Sequence, residues 1–326
     1  MRRRDFITLL GAAAAWPLAA RAQQRTLPMI GYLDATNMDL DPRMPMFRQG
    51  LGEAGFIEGR NVAIEYRSAN GQYSRLPALA AELVRRQVDV IVAPGSAPAA
   101  LAAKAATATI PVVFGVADDP VKLGLVTSFA RPEGNVTGVD IFSVEVVAKR
   151  LSLLHALVPK AARIAVLVNP ANTQNGDAMV GEISRAASAM GLQIELLKAG
   201  AIGEIDAAFA ALTREHADAL FVAPDAFFFT RRAQFVTLSA RYAIPAAYFV
   251  HDFVEAGGLM SYGTDVKDSW RQVGIYAGRI LKGVKPADLP VMQSSKFEFT
   301  INLHTARLLG IEVPPSLLAI ADEVVE

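Results

Sequence analysis

One pattern occurs twice along this chain, and that repetition limits its fold more than any other feature. Ile30-Gly31-Tyr32-Leu33 is an apolar run followed by a polar loop, and Ile164-Ala165-Val166-Leu167 is another. Glu53-Ala54-Gly55-Phe56 reads as a helix end, as does Ala189-Met190-Gly191-Leu192. Residues 89–94 read DVIVAP and residues 218–224 read DALFVAP. Ile110-Pro111 opens a run ending at Asp118, and Ile244-Pro245 opens one ending at Asp252. The offset is 134 residues at both the first and the last of these pairs. Four matches in the same order predict two similar βαβα lobes, about residues 28–140 and 160–255.

Each copy alternates strand-like and helix-like patterns. Short apolar runs at 29–33, 88–93, 111–116, 163–168, 219–223 and 245–250 read as buried strands. Between them lie apolar stripes at helical spacing: Leu76, Leu79, Leu83 and Val84 after a cap at Ser74; Val147, Leu151, Leu154 and Val158 after Ser143; and Val180, Ile183, Ala187 and Met190. The expected fold class is therefore α/β, two similar doubly wound parallel-sheet lobes joined by a hinge. A chain of 326 residues, 52% hydrophobic, is long enough to bury two cores.

The segment 143–158 leads from the first copy into the second. Gly257-Gly258-Leu259-Met260-Ser261-Tyr262-Gly263 reads as a flexible crossover back. A helix follows, capped by Asp265, lined on one face by Val266, Trp270, Val273, Ala277 and Ile280, and ended by Gly283. Assigning it to the first lobe gives an N-terminal lobe of 28–140 plus about 264–295, and a C-terminal lobe of 141–263. Residues 296–302 alternate like a strand and 303–309 read as a short helix. The sequence leaves open which lobe holds 296–326.

Residues 1–22 are read apart from the fold. Arg2-Arg3-Arg4-Asp5-Phe6-Ile7 is a basic start, residues 9–20 form an apolar stretch, and Ala20-Arg21-Ala22 fits a small-x-small cleavage site. This is the pattern of a secretory signal, and the paired arginines favour the twin-arginine route. About 12 apolar residues are too few to span a bilayer, so no membrane insertion is expected. Removing Arg2, Arg3, Arg4, Arg21 and Asp5 leaves 28 basic and 31 acidic residues, a net of −3. The expected product is a soluble periplasmic monomer. No cysteine is present, which excludes disulfides, a lipid-modified cysteine and thiol chemistry. The absence of a basic block argues against nucleic acid as a partner. The four histidines lie at least 35 residues apart, and no metal or cofactor motif appears.

In this setting several short motifs carry a resemblance over essentially the whole mature chain. They are Val92-Ala93-Pro94-Gly95-Ser96, Asp119-Pro120-Val121, Gly134-Asn135-Val136-Thr137-Gly138 and Asn169-Pro170-Ala171-Asn172, with Pro224-Asp225, Ser261-Tyr262-Gly263 and Pro314-Pro315-Ser316-Leu317-Leu318. The chain resembles a type I periplasmic binding protein, and more narrowly the ABC-transporter substrate-binding family that includes tryptophan- and tyrosine-binding members. The resemblance implies ligand binding without chemistry, hinge closure and docking to an inner-membrane ABC permease. It further implies that a helix start in the first lobe holds a ligand carboxylate and that an acidic residue in the second takes an ammonium. The ligand expected is a small molecule, an amino acid or related carboxylate.

Ligands of open parallel sheets sit beyond the carboxyl ends of the strands. In the first lobe this selects Asp34 and Thr36, then Gly95, Ser96 and Ala97 at a helix start suited to an anion, then Asp118. In the second it selects Asn169 and Asn172, then Asp225. Phe227, Phe228 and Phe229 follow, and three successive aromatics cannot all face one core, so at least one is expected to be exposed or in the cleft; Phe227 is the residue selected. Tyr262, on the expected crossover, completes the set. His251-Asp252 has no identifiable nucleophile beside it, so no catalytic residue is assigned. A sensor module and a periplasmic enzyme on the same fold remain the alternatives, since fold alone does not fix function.

Overall fold

The computed structural model describes residues 27–36, 42–117, 119–141 and 144–326. The signal segment 1–22, Asp118 and Ser143 lie outside the described residues. The strands, in chain order, are β1 (Met29–Asp34), β2 (Ala63–Ser68), β3 (Val90–Pro94), β4 (Val112–Val116), β5 (Val136–Asp140), β6 (Arg163–Val168) and β7 (Gln193–Lys198). There follow β8 (Ala219–Val222), β9 (Ala246–Tyr248), β10 (Met260–Thr264), β11 (Met292–Gln293), β12 (Phe297–Asn302) and β13 (Glu323–Val325).

They form two sheets. The first runs β11-β5-β4-β3-β1-β2, with every pair parallel. The second runs β13-β12-β10-β9-β8-β6-β7 and is parallel except for the antiparallel β10–β12 pair. The order 5-4-3-1-2 of the first sheet recurs as 10-9-8-6-7 in the second, the signature of one doubly wound unit used twice. Central strands VIVAP of β3 and VVFGV of β4 are buried throughout, because helices cover both faces of each sheet. Two apolar layers flank the first sheet and two flank the second.

The helix Val266–Leu281 belongs to the first lobe, and the reason is a close backbone approach. A Cβ at Gly50 of the helix Met44–Glu53 would fall 1.8 Å from the Arg271 carbonyl oxygen, and one at Gly274 would fall 2.2 Å from that of Phe47. Only glycine permits this contact. Trp270 and Val273 then pack with Ile30, Phe47 and Val92.

Elsewhere the fold differs from the sequence reading. Residues 257–263 are no flexible crossover. Most of them form a turn and β10, the counterpart of β5, and a Cβ at Gly263 would meet the Phe249 carbonyl oxygen at 1.9 Å. Glycine serves close packing there rather than rotation. Edge strands β2 and β7, half-buried and interspersed with charges, gave no apolar run and escaped the reading. Ser74 does not cap its helix, because it sits in a short 3-10 turn, Tyr73–Arg75. The open question of the tail is answered by β12, which pairs with β10 in the second sheet.

The chain therefore crosses between lobes three times: after β5, at Asp265, and between β11 and β12. The crossings are tied to one another. Asp265 N–H donates to the Lys296 carbonyl at 3.0 Å, Ser294 N–H donates to that of Asp140 at 2.9 Å, and the Thr264 hydroxyl donates to that of Ile141. No helix among the described residues is long and apolar enough to cross a membrane.

Candidate functional site

The carboxyl ends of both sheets face one cavity between the lobes. The cavity and its solvent-open mouth together take up about 740 Å³ of empty space. On the first-lobe side, β3 ends at Pro94, and Gly95, with a φ of +78°, turns the chain into the helix Ala97–Ala106. Ser96 caps that helix by accepting the Ala99 N–H at 3.4 Å. Gly95, Ser96 and Ala97 all line the cavity, so the positive end of the helix points into it. Beside them stand Trp270 and Arg43. The Arg43 guanidinium lies 4.1 Å from the Trp270 ring and 4.0 Å from the Phe229 ring of the other lobe, a cation–π bridge across the cleft.

The second-lobe side is organised by Asp225, which follows β8 and caps the short helix Ala226–Thr230. Its Oδ1 accepts from Phe227 N–H at 2.9 Å, Phe228 N–H at 3.2 Å and Asn169 Nδ2 at 3.0 Å. Its Oδ2 accepts from Asn172 Nδ2 at 3.3 Å and from the Tyr73 hydroxyl of the first lobe at 3.2 Å. Burial pushes this carboxyl above its ordinary range, while the donors from Asn169, Phe228, Tyr73 and Asn172 pull it back. Tyr73 is raised well above the usual tyrosine value, first by burial and then by the Asp225 charge, so it stays a proton donor.

Arg150 enters from the helix Val144–Leu157 and is 1% exposed. Its Nε donates to the Tyr262 carbonyl at 2.7 Å and its Nη1 to that of Val222 at 3.5 Å, with the Phe221 ring 5.0 Å from the guanidinium carbon. Burial pushes its pKa down to about 9, which leaves it charged at neutral pH.

Of the residues selected from sequence, the cavity gathers Gly95, Ser96, Ala97, Asn172 and Asp225 in its wall. Asn169 sits one layer behind, holding Asp225. Asp34 lies outside the wall: its carboxylate accepts the N–H and hydroxyl of Thr36, closing a local turn that uses both residues. Tyr262 turns its ring toward Phe297 and Phe299, and only its backbone reaches the site, through Arg150. The three phenylalanines are all buried. All three belong to the second-lobe apolar cluster, contrary to the expectation that one core could not take them; Phe227 also faces Gly71 of the first lobe, and Phe229 also lines the cavity. The aromatic expected in the cleft is thus Phe229, where the sequence reading selected Phe227. His251 lies outside the cavity wall, held by Glu255 at 3.0 Å and the Thr300 hydroxyl at 3.2 Å.

Sequence reasoning missed Arg43, Tyr73, Arg150 and Trp270. One signal was available for Arg150. Val146, Arg150, Leu153 and Leu157 fall at spacings of four, three and four, and all four are buried. A charge on an apolar helical stripe marks a place where burial serves something other than packing.

The family model described as ABC transporter substrate binding protein matches residues 39–325. A tyrosine-binding protein of Clostridioides difficile (strain R20291) is 28% identical over 274 residues, covering 84% of this chain and 78% of that one. The structure of a Streptococcus pneumonia ABC domain in complex with L-Trp is 27% identical, covers 92% of this chain and 100% of its own, and superposes with a TM-score of 0.82. A ligand-free, open substrate-binding protein with adhesive properties from Clostridium difficile is 26% identical with coverage of 92% and 99%, yet its TM-score is 0.64. At matched identity and coverage, the L-Trp complex superposes on this chain more closely than the open relative does.

Proposed function

Because the chain belongs to the ABC transporter substrate-binding protein family, we propose that it is the exported, periplasmic solute-binding component of an importer. It captures a small molecule between its lobes, closes on it and presents the closed form to an inner-membrane permease, with no bond made or broken. One observation carries the reading: a single cavity is walled by the strand-end loops of both sheets and bridged by Tyr73–Asp225 and Arg43–Phe229. A solute held there touches both lobes only when they are together, and that difference in contact is what drives closure. The greater likeness to the L-Trp complex than to the open relative supports closure, with rotation at the three crossings. The tyrosine-binding relative and the L-Trp complex support an amino acid or related carboxylate as the solute. The arginine-led N-terminus supports export. Thermal-shift screening of amino acids, organic acids, amines and sugars, followed by small-angle scattering with each hit, tests this. A hit that also shrinks the radius of gyration is expected. Hits that bind without compaction would refute hinge closure.

A further inference from the structure

We propose that the cavity reads a carboxylate on its solute through Arg150, and that it selects acids lacking an amino group. The inference rests on the solute-capture reading above and narrows the solute class.

Arg150 is a positive charge buried in the cavity wall, with no acidic partner among the described residues. Its partners are two backbone carbonyls and a phenyl ring. These satisfy donors and soften desolvation, but none cancels the charge. Among the described residues, no carboxylate lies within ion-pair distance of it. A guanidinium taken out of water without a counter-ion is among the costliest arrangements in a protein, and one partner removed from a buried pair leaves the other strongly destabilising. The fold nevertheless keeps this charge at the ligand cavity. A planar, forked donor set there is matched by a carboxylate, which the solute supplies.

The rest of the wall agrees. The Trp270 indole Nε1 is buried without a hydrogen-bond partner among the described residues, and an indole nitrogen only donates. The start of the helix Ala97–Ala106 adds the Ala97 N–H, since Pro98 has none and the Ala99 and Ala100 N–H groups already bond to Ser96. Arg150, Trp270 and the helix start all seek oxygen acceptors.

Among the described wall residues, an ammonium finds no open carboxylate. Asp225 is the one carboxylate among the described wall residues, and its two oxygens already accept five hydrogen bonds. A carboxylate offers about four lone-pair sites. Asp225 therefore acts as the clasp of the closed cleft. An incoming amine would have to displace Tyr73 or an asparagine from it.

The test uses four probes with one hydrocarbon body: 3-phenylpropanoate, 3-phenylpropanamide, L-phenylalanine and 2-phenylethylamine. They are measured by calorimetry alongside a metabolite panel of aliphatic and aromatic acids, amino acids, amines and neutral sugars. The acid is expected to bind at least tenfold tighter than the amide or the amino acid, and the amine not at all. If the phenyl body does not fit, the same ordering is expected for whichever acids in the panel bind. Arg150→Met should weaken acid binding about thirtyfold or more and erase the preference for acid over amide. The apo melting temperature of that variant should hold or rise, since an uncompensated buried charge is gone. A merely structural Arg150 would instead lower the melting temperature and leave the preference intact. Arg150→Lys, which keeps the charge without the fork, should retain the preference at reduced affinity, and it decides the matter if Arg150→Met does not fold. Hits confined to amines, sugars or amino acids would overturn the acid assignment and leave solute capture standing. No hit in any class, with an unchanged scattering profile, would overturn solute capture itself.

Discussion

Removing one hydroxyl from Tyr73 separates closure of the lobes from their folding. Tyr73 belongs to the first lobe, and its hydroxyl donates to Asp225 Oδ2 of the second at 3.2 Å while accepting the Phe227 N–H at 3.2 Å. A hydrogen bond to a charged acceptor is worth about 1.5–3 kcal/mol, and a length of 3.2 Å puts this one at the lower end. In Tyr73→Phe the ring keeps its packing and Asp225 keeps four donors, so no charge is orphaned. The closed form then loses about 1.5 kcal/mol relative to the open form, in which the hydroxyl would meet water. That is roughly a tenfold drop in the closed-to-open ratio, and with a mostly open apo protein the apparent Kd rises by the same factor. The raised pKa of Tyr73 keeps the hydroxyl protonated through neutral and mildly alkaline pH, so the effect should be flat across that range. Calorimetry gives Kd, and scattering gives the radius of gyration at matched saturation. Each lobe retains its core, so the apo melting temperature should barely move. An unchanged Kd would refute the clasp. An affinity loss matched by an equal loss of apo stability would show that the bond serves folding rather than closure.

Further expectations concern the same cavity and the N-terminus. In Gly95→Ala the new Cβ meets the Trp270 ring at 2.8 Å from a φ of +78°, so the variant should lose about 1–3 kcal/mol of stability by denaturant titration and bind more weakly; unchanged behaviour in both would show that the β3 turn is tolerant. Because burial raises the Asp225 carboxyl, the folded protein holds that proton more readily than the unfolded chain. Stability should therefore climb as pH falls from neutral through the raised value, and level off near the ordinary carboxylate value of about 4. Asp225→Asn should flatten that portion of the profile, and parallel profiles for the two proteins would contradict the reading. Protein recovered from the periplasm should begin at Gln23, and changing Arg3 and Arg4 to Lys should stop export; N-terminal sequencing and fractionation check both.

The sequence alone determined the duplication, the parallel character of the sheets, their strands β1, β3, β4, β6, β8 and β9, and three loops of the cavity. These rest on local signals. Fully buried strands such as β3 and β4 must be apolar along their length, helices must show a stripe, and a Gly-Ser pair after a strand marks a helix start wherever it packs. What the tertiary structure decided depends on partners far away in the chain. Tyr73 and Asp225 meet across 152 residues, and Arg150 reaches the Tyr262 carbonyl across 112. Nothing local distinguishes Tyr73 from any surface tyrosine in a turn, or Trp270 from the core face on which it was placed. Phe227 and Phe229 exchange roles because a helix rotates successive side chains by about 100°, and only the docked lobe fixes which of them meets the cleft. The glycines of 257–263 read as freedom in sequence and proved to be close packing, because a missing Cβ permits both and only the neighbouring backbone, Phe249 against Gly263, decides between them.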